Sequence, residues 1–202
     1  MGPSAHDSTT TTSDDAEGIS STQFDDLVKD LKRDVEIGQT NTALLDEQLG
    51  DFGVPEPRIL IIGCGGSGNN TLNRITHLHV EGAVTVAINT DKQHLDHTRS
   101  LQKLLVGRHI TRGLGAGGDP STGRRCAEAG RDMIKRIVSG ADLVFIASGL
   151  GGGSGTGIAP IVAEEAKSAG ALVVGIVTTP FHVERRQRMQ RALEGLEKLR
   201  QT

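Results

Sequence analysis

Residues 56–202 predict a doubly wound α/β domain, a mostly parallel sheet with helices on both faces. Three observations carry that reading. Short runs of Val, Ile and Leu alternate with helical stretches. The runs are apolar on both faces, as strands are when helices cover each side of a sheet. Two of the runs lead directly into a glycine-rich loop that opens a helix. Such sheets hold ligands on the loops at the carboxyl ends of their strands.

Five strands are expected. Arg58–Gly63 (RILIIG), Val84–Asn89 (VTVAIN), Ala141–Ala147 (ADLVFIA) and Ala171–Val177 (ALVVGIV) are short and continuously apolar, and Lys103–Val106 (KLLV) is a shorter one. Helices are expected over 67–78, 120–139, 156–169 and 184–200. The third begins inside a glycine run, and Asp119-Pro120 supplies an N-cap and a first-turn proline for the second.

The chain changes character near residue 55. The first 55 residues hold 12 acids against three bases, whereas residues 56–202 hold 13 acids against 19 bases. Residues 1–20 are rich in Ser, Thr and Asp and read as a disordered acidic tail. Residues 21–55 read as a helix and a linker. Phe24, Leu27, Leu31 and Val35 recur at helical spacing over 22–37, with Thr22 and Asp25 placed as a capping box. That segment packs on the main domain as a helix, binds a partner as one, or is disordered. The connection over 38–57 ends at Pro55 and Pro57.

Composition excludes several functions. The net charge of −3 and the absence of Trp and Tyr argue against a nucleic-acid binder built on basic patches and stacking aromatics. Two cysteines make neither a disulfide framework nor a zinc cage. No apolar run approaches the ~20 residues that span a bilayer, and no secretory signal opens the chain. A soluble cytoplasmic protein is the expectation. The pairs His77/His79 and His94/His97 lack zinc spacing and read as surface helix residues. Cys64 reads as a small residue in a tight turn, although a helix N-terminus beside it would lower a thiol pKa. Arg185, Arg186, Arg188 and Arg191 form a cationic cluster that reads as a solvated face or a surface for an acidic partner.

Three glycine loops carry the chemistry. The first, Gly63-Cys64-Gly65-Gly66-Ser67-Gly68-Asn69-Asn70, matches the G-x-G-x-x-G fingerprint. Its missing side chains let backbone N–H groups and a helix N-terminus approach an anion. The second runs from Gly149 to Gly157, and six of its nine residues are glycine. Glycine forfeits about 0.5–1 kcal/mol of chain entropy per residue, so such a run points to N–H groups wrapped round a phosphate, with Ser154 and Thr156 as added hydroxyl donors. The third, Gly113 to Pro120, has glycines suited to a terminal phosphate or its Mg²⁺. Three such loops fit a nucleoside triphosphate better than a dinucleotide, and no G-x-x-x-x-G-K-[ST] occurs, so this is no P-loop protein.

Taken in order, GCGGSGNN, AINTD (87–91), TRGLGAGGDP (111–120), GLGGGSGTG (149–157) and VTTPFHVERRQRM (177–189) resemble the motifs of FtsZ, the tubulin-like cell-division GTPase family of bacteria and archaea. The wording is most similar to archaeal members and covers about residues 56–202. The family signature usually has Thr where this chain has Ser154, and the hydroxyl is kept.

The resemblance implies bound GTP with Mg²⁺ as counter-ion. It implies that Gly65, Gly66, Ser67, Gly68, Asn69 and Asn70 contact the phosphates and nucleoside, and that Asn89, Thr90 and Asp91 line the site. Ala116, Gly117 and Gly118 would sense the γ-phosphate. Gly151, Gly152, Gly153, Ser154, Gly155, Thr156 and Gly157 would hold the α- and β-phosphates, and Glu184 and Arg188 would meet the ribose. By spacing alone, Glu184 and Arg188 are an ordinary i,i+4 helix pair. No catalytic residue and no metal ligand is assigned within this stretch. In the family a base-recognising residue, a loop of water-positioning acids and a second domain follow, so this chain reads as truncated before them. The resemblance further implies head-to-tail filaments with itself or full-length FtsZ-like subunits at the division site, and division-site or membrane-anchor partners. Two other classes stay open: a non-catalytic regulator that caps filaments of a full-length relative, and an NAD-binding oxidoreductase built on the Gly63–Gly68 fingerprint.

Overall fold

The computed structural model describes residues 56–202 other than His79 and His182. The expectations for 1–20, for the helix over 22–37 and for most of the connection at 38–57 lie outside the described residues.

Five parallel strands form one sheet: β1 (Ile59–Cys64), β2 (Ala83–Asn89), β3 (Gln102–Leu105), β4 (Leu143–Gly149) and β5 (Leu172–Thr178). Their order is β3-β2-β1-β4-β5, which is the doubly wound arrangement expected from the sequence. The register sets Ile59 beside both Ala83 and Leu143, so the carboxyl ends of β1, β2 and β4 finish level with one another.

The helices are α1 (Gly65–His77), α2 (Lys92–His97), α3 (Arg108–Thr111), α4 (Pro120–Ala129), α5 (Arg131–Val138), α6 (Ser154–Ser168) and α7 (Arg186–Gln201). Strand alternation divides the apolar side chains between two layers. Leu60, Ile62, Val86, Ile88, Val144 and Ile146 join Ile134, Ile158 and Ile161 in the larger core, beneath α4, α5 and α6. Ile61, Ala87 and Leu105 join Leu72 of α1 and Leu95 of α2 in the smaller one.

Two local features depart from the sequence reading. The helix expected over 120–139 is two helices that meet at Gly130, whose backbone sits at φ −104 and ψ 10. A Cβ at Gly130 would come within 2.8 Å of Val106 Cγ1, so the tail of β3 presses on the break. The short α3 was not expected. It is set between Gly107 and Arg112, both left-handed (φ 65 and 55), and Gly107 lies flush against the Cys126 side chain. Strand and helix ends otherwise shift by at most two residues.

Candidate functional site

Strand order reverses between β1 and β4, and the first and second glycine loops leave the sheet at that point. They touch. Gly65 is left-handed (φ +70), and a Cβ there would stand 2.5 Å from Gly155 N. Only a residue without a side chain adopts that backbone at that separation. Two helix N-termini, α1 at Gly65 and α6 at Ser154, therefore open side by side with their first N–H groups free of intrahelical partners.

Between them lies a cleft of about 490 Å³. Gly66 and Ser67 form one wall, Gly152 to Gly155 the second, and Thr178 to Phe181 with Glu184 and Arg188 the third. An adjoining hollow takes in Gly118, Gly151 and Arg191, whose guanidinium donates to the Gly118 carbonyl at 2.8 Å. Leu150, Pro180 and Phe181 give the cleft an apolar share, while the two glycine loops, the Ser67 and Ser154 hydroxyls and the Glu184–Arg188 ion pair supply groups suited to an anionic ligand.

Beneath the cleft, buried side chains tie the loops together. With the Asn69 amide turned to satisfy its neighbours, its Nδ2 donates to the Gly63 and Gly65 carbonyls at 2.9 and 3.3 Å. Its Oδ1 accepts from Asn89 Nδ2 at 3.2 Å. Asn89 Oδ1 in turn accepts from the Thr90 and Asp91 amides at 2.8 and 3.2 Å. The Thr90 and Ser154 hydroxyls share a hydrogen bond of 2.6 Å, joining the end of β2 to the start of α6. Thr156 Oγ1 accepts from Gly151 N at 2.9 Å and closes the second loop on itself. The third loop hangs from the end of β2: Lys92 N donates to Gly113 O, Gly115 N to Thr90 O and Thr111 Oγ1 to Thr90 O.

The expected site residues thus occupy different positions. Gly66, Ser67, Gly152, Gly153, Ser154, Gly155, Glu184 and Arg188 converge on the cleft. Gly118 and Gly151 line the adjoining hollow. Gly65, Gly68, Asn69, Asn89, Thr156 and Gly157 lie buried beneath or between the loops, and Ala116 is buried against Gly153. Asp91 is half-buried and caps α2, accepting from His94 N at 2.9 Å. Asn70 and Gly117 are exposed outside the cleft wall. Glu184 and Arg188 do pair, at 2.8 Å, and Glu184 also accepts from Phe181 N at 3.1 Å.

Two other groups resolve into supporting roles. Asp119 caps α4: Ser121 and Thr122 donate to it through both hydroxyl and amide, and these bonds hold its carboxyl well below the usual carboxylate range. Cys64 is fully buried, and burial pushes its thiol up to about 12, so it is a packing residue and no activated nucleophile. Thr178, Thr179, Pro180 and Phe181 also join the cleft wall; they lie in the VTTPFHVERRQRM motif, but only the fold brings the end of β5 beside β4.

The sequence pattern of the Tubulin/FtsZ family, GTPase domain, matches residues 58–202. Cell division protein FtsZ 2 of Halobacterium salinarum is 58% identical over 151 residues, covering 75% of this chain and 38% of that protein. FtsZ 2 of Methanocaldococcus jannaschii is 47% identical over 173 residues, or 86% of this chain and 44% of that protein. The chain therefore spans less than half the length of these relatives. The structure of an empty FtsZ dimer from M. jannaschii superposes with a TM-score of 0.72 at 48% identity, covering 80% of this chain and 46% of that one. CetZ2 of Haloferax volcanii, described as a GTPgS-bound protofilament, superposes at 0.65 with 25% identity, over 70% of this chain and 46% of that one. The glycine loops, the strand order and the match over residues 58–202 agree: the chain belongs to the Tubulin/FtsZ family and carries its GTPase domain.

Proposed function

We propose that this chain is the nucleotide-binding part of an FtsZ-like cell-division protein and binds GTP in the cleft between the β1–α1 and β4–α6 loops. The observation that carries this reading is the convergence of two glycine-rich helix N-termini at the strand-order switch point. Gly66, Ser67 and Gly152 to Gly155 would cradle phosphate oxygens through backbone N–H groups. Glu184 and Arg188 would meet the ribose end, and Gly118 in the adjoining hollow the terminal phosphate. A carboxylate free to bind a dinucleotide ribose is what an NAD site needs at the end of β2, and Asp91 there is committed to capping α2.

Mg²⁺ is part of the proposal. Among the described residues no group of three or more His, Cys, Asp or Glu side chains converges. The ion would take its ligands from nucleotide oxygens and water, and would supply charge neutralisation during phosphoryl transfer. The chain's own part is to bind, orient and stabilise charge; the acids that position water would come from a neighbouring subunit.

Head-to-tail assembly follows the same logic. Phe181 and Val183, 78% and 88% exposed, stand beside the cleft on the connection from β5 to α7. Exposed apolar residues at the edge of a polar cleft suit a subunit contact that closes over the nucleotide. Filaments at the division site, with division-site or membrane-anchor partners, are the cellular role we infer. Among the described residues no helix is long and apolar enough to cross a membrane.

Calorimetric titration with GTP, ATP and NAD, with and without Mg²⁺, tests the reading. GTP binding without NAD binding is expected. NAD binding alone, or no nucleotide binding by a folded sample, would overturn it.

A further inference from the structure

We propose that His94 is a nucleotide-contacting residue, its imidazole Nε2–H donating to a phosphate oxygen held over the β1–α1 loop. The proposal deepens, and rests on, the reading of the cleft as a GTP site.

His94 lies on α2, and its backbone is fixed at both ends. Its amide donates to Asp91 Oδ1 at 2.9 Å, and its carbonyl accepts from Thr98 Oγ1 at 2.9 Å. The ring reaches across to the first glycine loop. A Cβ placed on Gly66 would be 3.7 Å from His94 Nε2 and 4.0 Å from its Cδ2, so the ring edge flanks a residue that lines the cleft. A phosphate lying on the N–H groups at the start of α1 would sit within reach of that edge.

The ring's other nitrogen selects the tautomer. Nδ1 is sealed from solvent and has no hydrogen-bond partner. A proton there would be a buried N–H with nothing to donate to, and orphaned buried N–H groups are rarer than orphaned acceptors. The neutral ring therefore carries its proton on Nε2, the nitrogen nearer the loop. His97 behaves differently: it is exposed, and its Nδ1 lies 2.7 Å from the Gln93 carbonyl.

The lysines and aspartates around α2 are otherwise engaged. Lys92 pairs with Asp96 at 2.5 Å, Lys103 donates to the Asp96 carbonyl, and the Asp91 carboxylate caps the helix. The chain has no P-loop lysine. A directed donor at Nε2 fills part of that role.

The test is calorimetric titration of wild type, His94→Ala and His94→Gln with GTP in Mg²⁺, with ¹H–¹⁵N spectra of the histidine rings of the wild type. A hydrogen bond to a charged acceptor predicts that His94→Ala weakens GTP affinity about tenfold or more. His94→Gln, whose terminal amide reaches about as far as Nε2, should recover most of it. The His94 resonances, assigned by their absence from His94→Gln, should shift on adding GTP. If wild type binds GTP while those resonances stay put and His94→Ala binds equally well, the proposal is overturned and the GTP reading stands. If wild type binds no GTP, the GTP reading itself has failed and this one with it.

Discussion

Asn69 and Asn89 meet through their side-chain amides at 3.2 Å, both buried, directly beneath the contact between the first two glycine loops. One comes from the second turn of α1 and the other from the end of β2. Between them they satisfy two carbonyls of the first loop and two amides that lead into α2. Loops rich in glycine have little to hold their shape, and this pair holds it from below.

Asn69→Ala removes that support and leaves the Gly63 and Gly65 carbonyls without their side-chain donor. A buried polar group stranded in this way costs about 1–3 kcal/mol. The midpoint of chemical denaturation should fall accordingly, and GTP affinity should fall with it in a titration of the folded variant.

Two glycines of the same region should respond differently. Gly68→Ala would drive a Cβ into the Ala147 carbonyl oxygen, which is backbone and cannot swing aside. Gly152→Ala meets nothing within 4 Å and needs no left-handed backbone. Thermal unfolding should show Gly68→Ala strongly destabilised and Gly152→Ala close to wild type. Nucleotide titration should still show Gly152→Ala weakened, because its methyl group occupies the cleft wall.

The Asp119 cap predicts a pH dependence. Its folded carboxyl titrates below its unfolded one, near 3.9. Its stabilising contribution is therefore fully present above that pH and lost as pH falls below it. Asp119→Ala should cost about 1 kcal/mol near neutrality, the usual value of an N-cap. Denaturation of both proteins at about pH 7 and about pH 2.5 should show the gap narrowing in acid.

Arg131 at the start of α5 binds three carboxylates at once: Glu128 at 2.8 Å, Glu164 at 2.8 Å and Glu165 at 2.5 Å. Glu165 is nearly buried, whereas the other two are partly in water. Arg131→Ala would leave the Glu165 carboxylate without its hydrogen-bonding partner, at a cost of about 1–3 kcal/mol. Glu165→Gln in the same background should recover part of it, a non-additivity that a double-mutant cycle measures directly.

Much of the fold was legible in the chain because its signals are local. A strand apolar on both faces needs helices on both faces, and RILIIG, VTVAIN and ADLVFIA state that requirement outright. The glycine loops announced themselves because no plain connector carries six glycines in nine residues. The break at Gly130 and the short α3 were not legible, since Val106 and Cys126 dictate them from a distance.

The sequence by itself determined the fold class, the family and the loops on which a phosphate-bearing ligand would rest. Propensity, periodicity and glycine content act between near neighbours along the chain, and they survive without knowledge of what packs on what. Tertiary structure decided which members of those motifs face the cleft. Asn69 and Asn70 are adjacent in sequence, yet one is buried as a strut and the other exposed. Asp91 is turned into a helix cap, and His94, which by spacing reads only as a surface helix residue, is brought against Gly66. Each of those outcomes depends on contacts made across the sheet, where hydrogen-bond satisfaction and close packing, not sequence spacing, set the direction of a side chain.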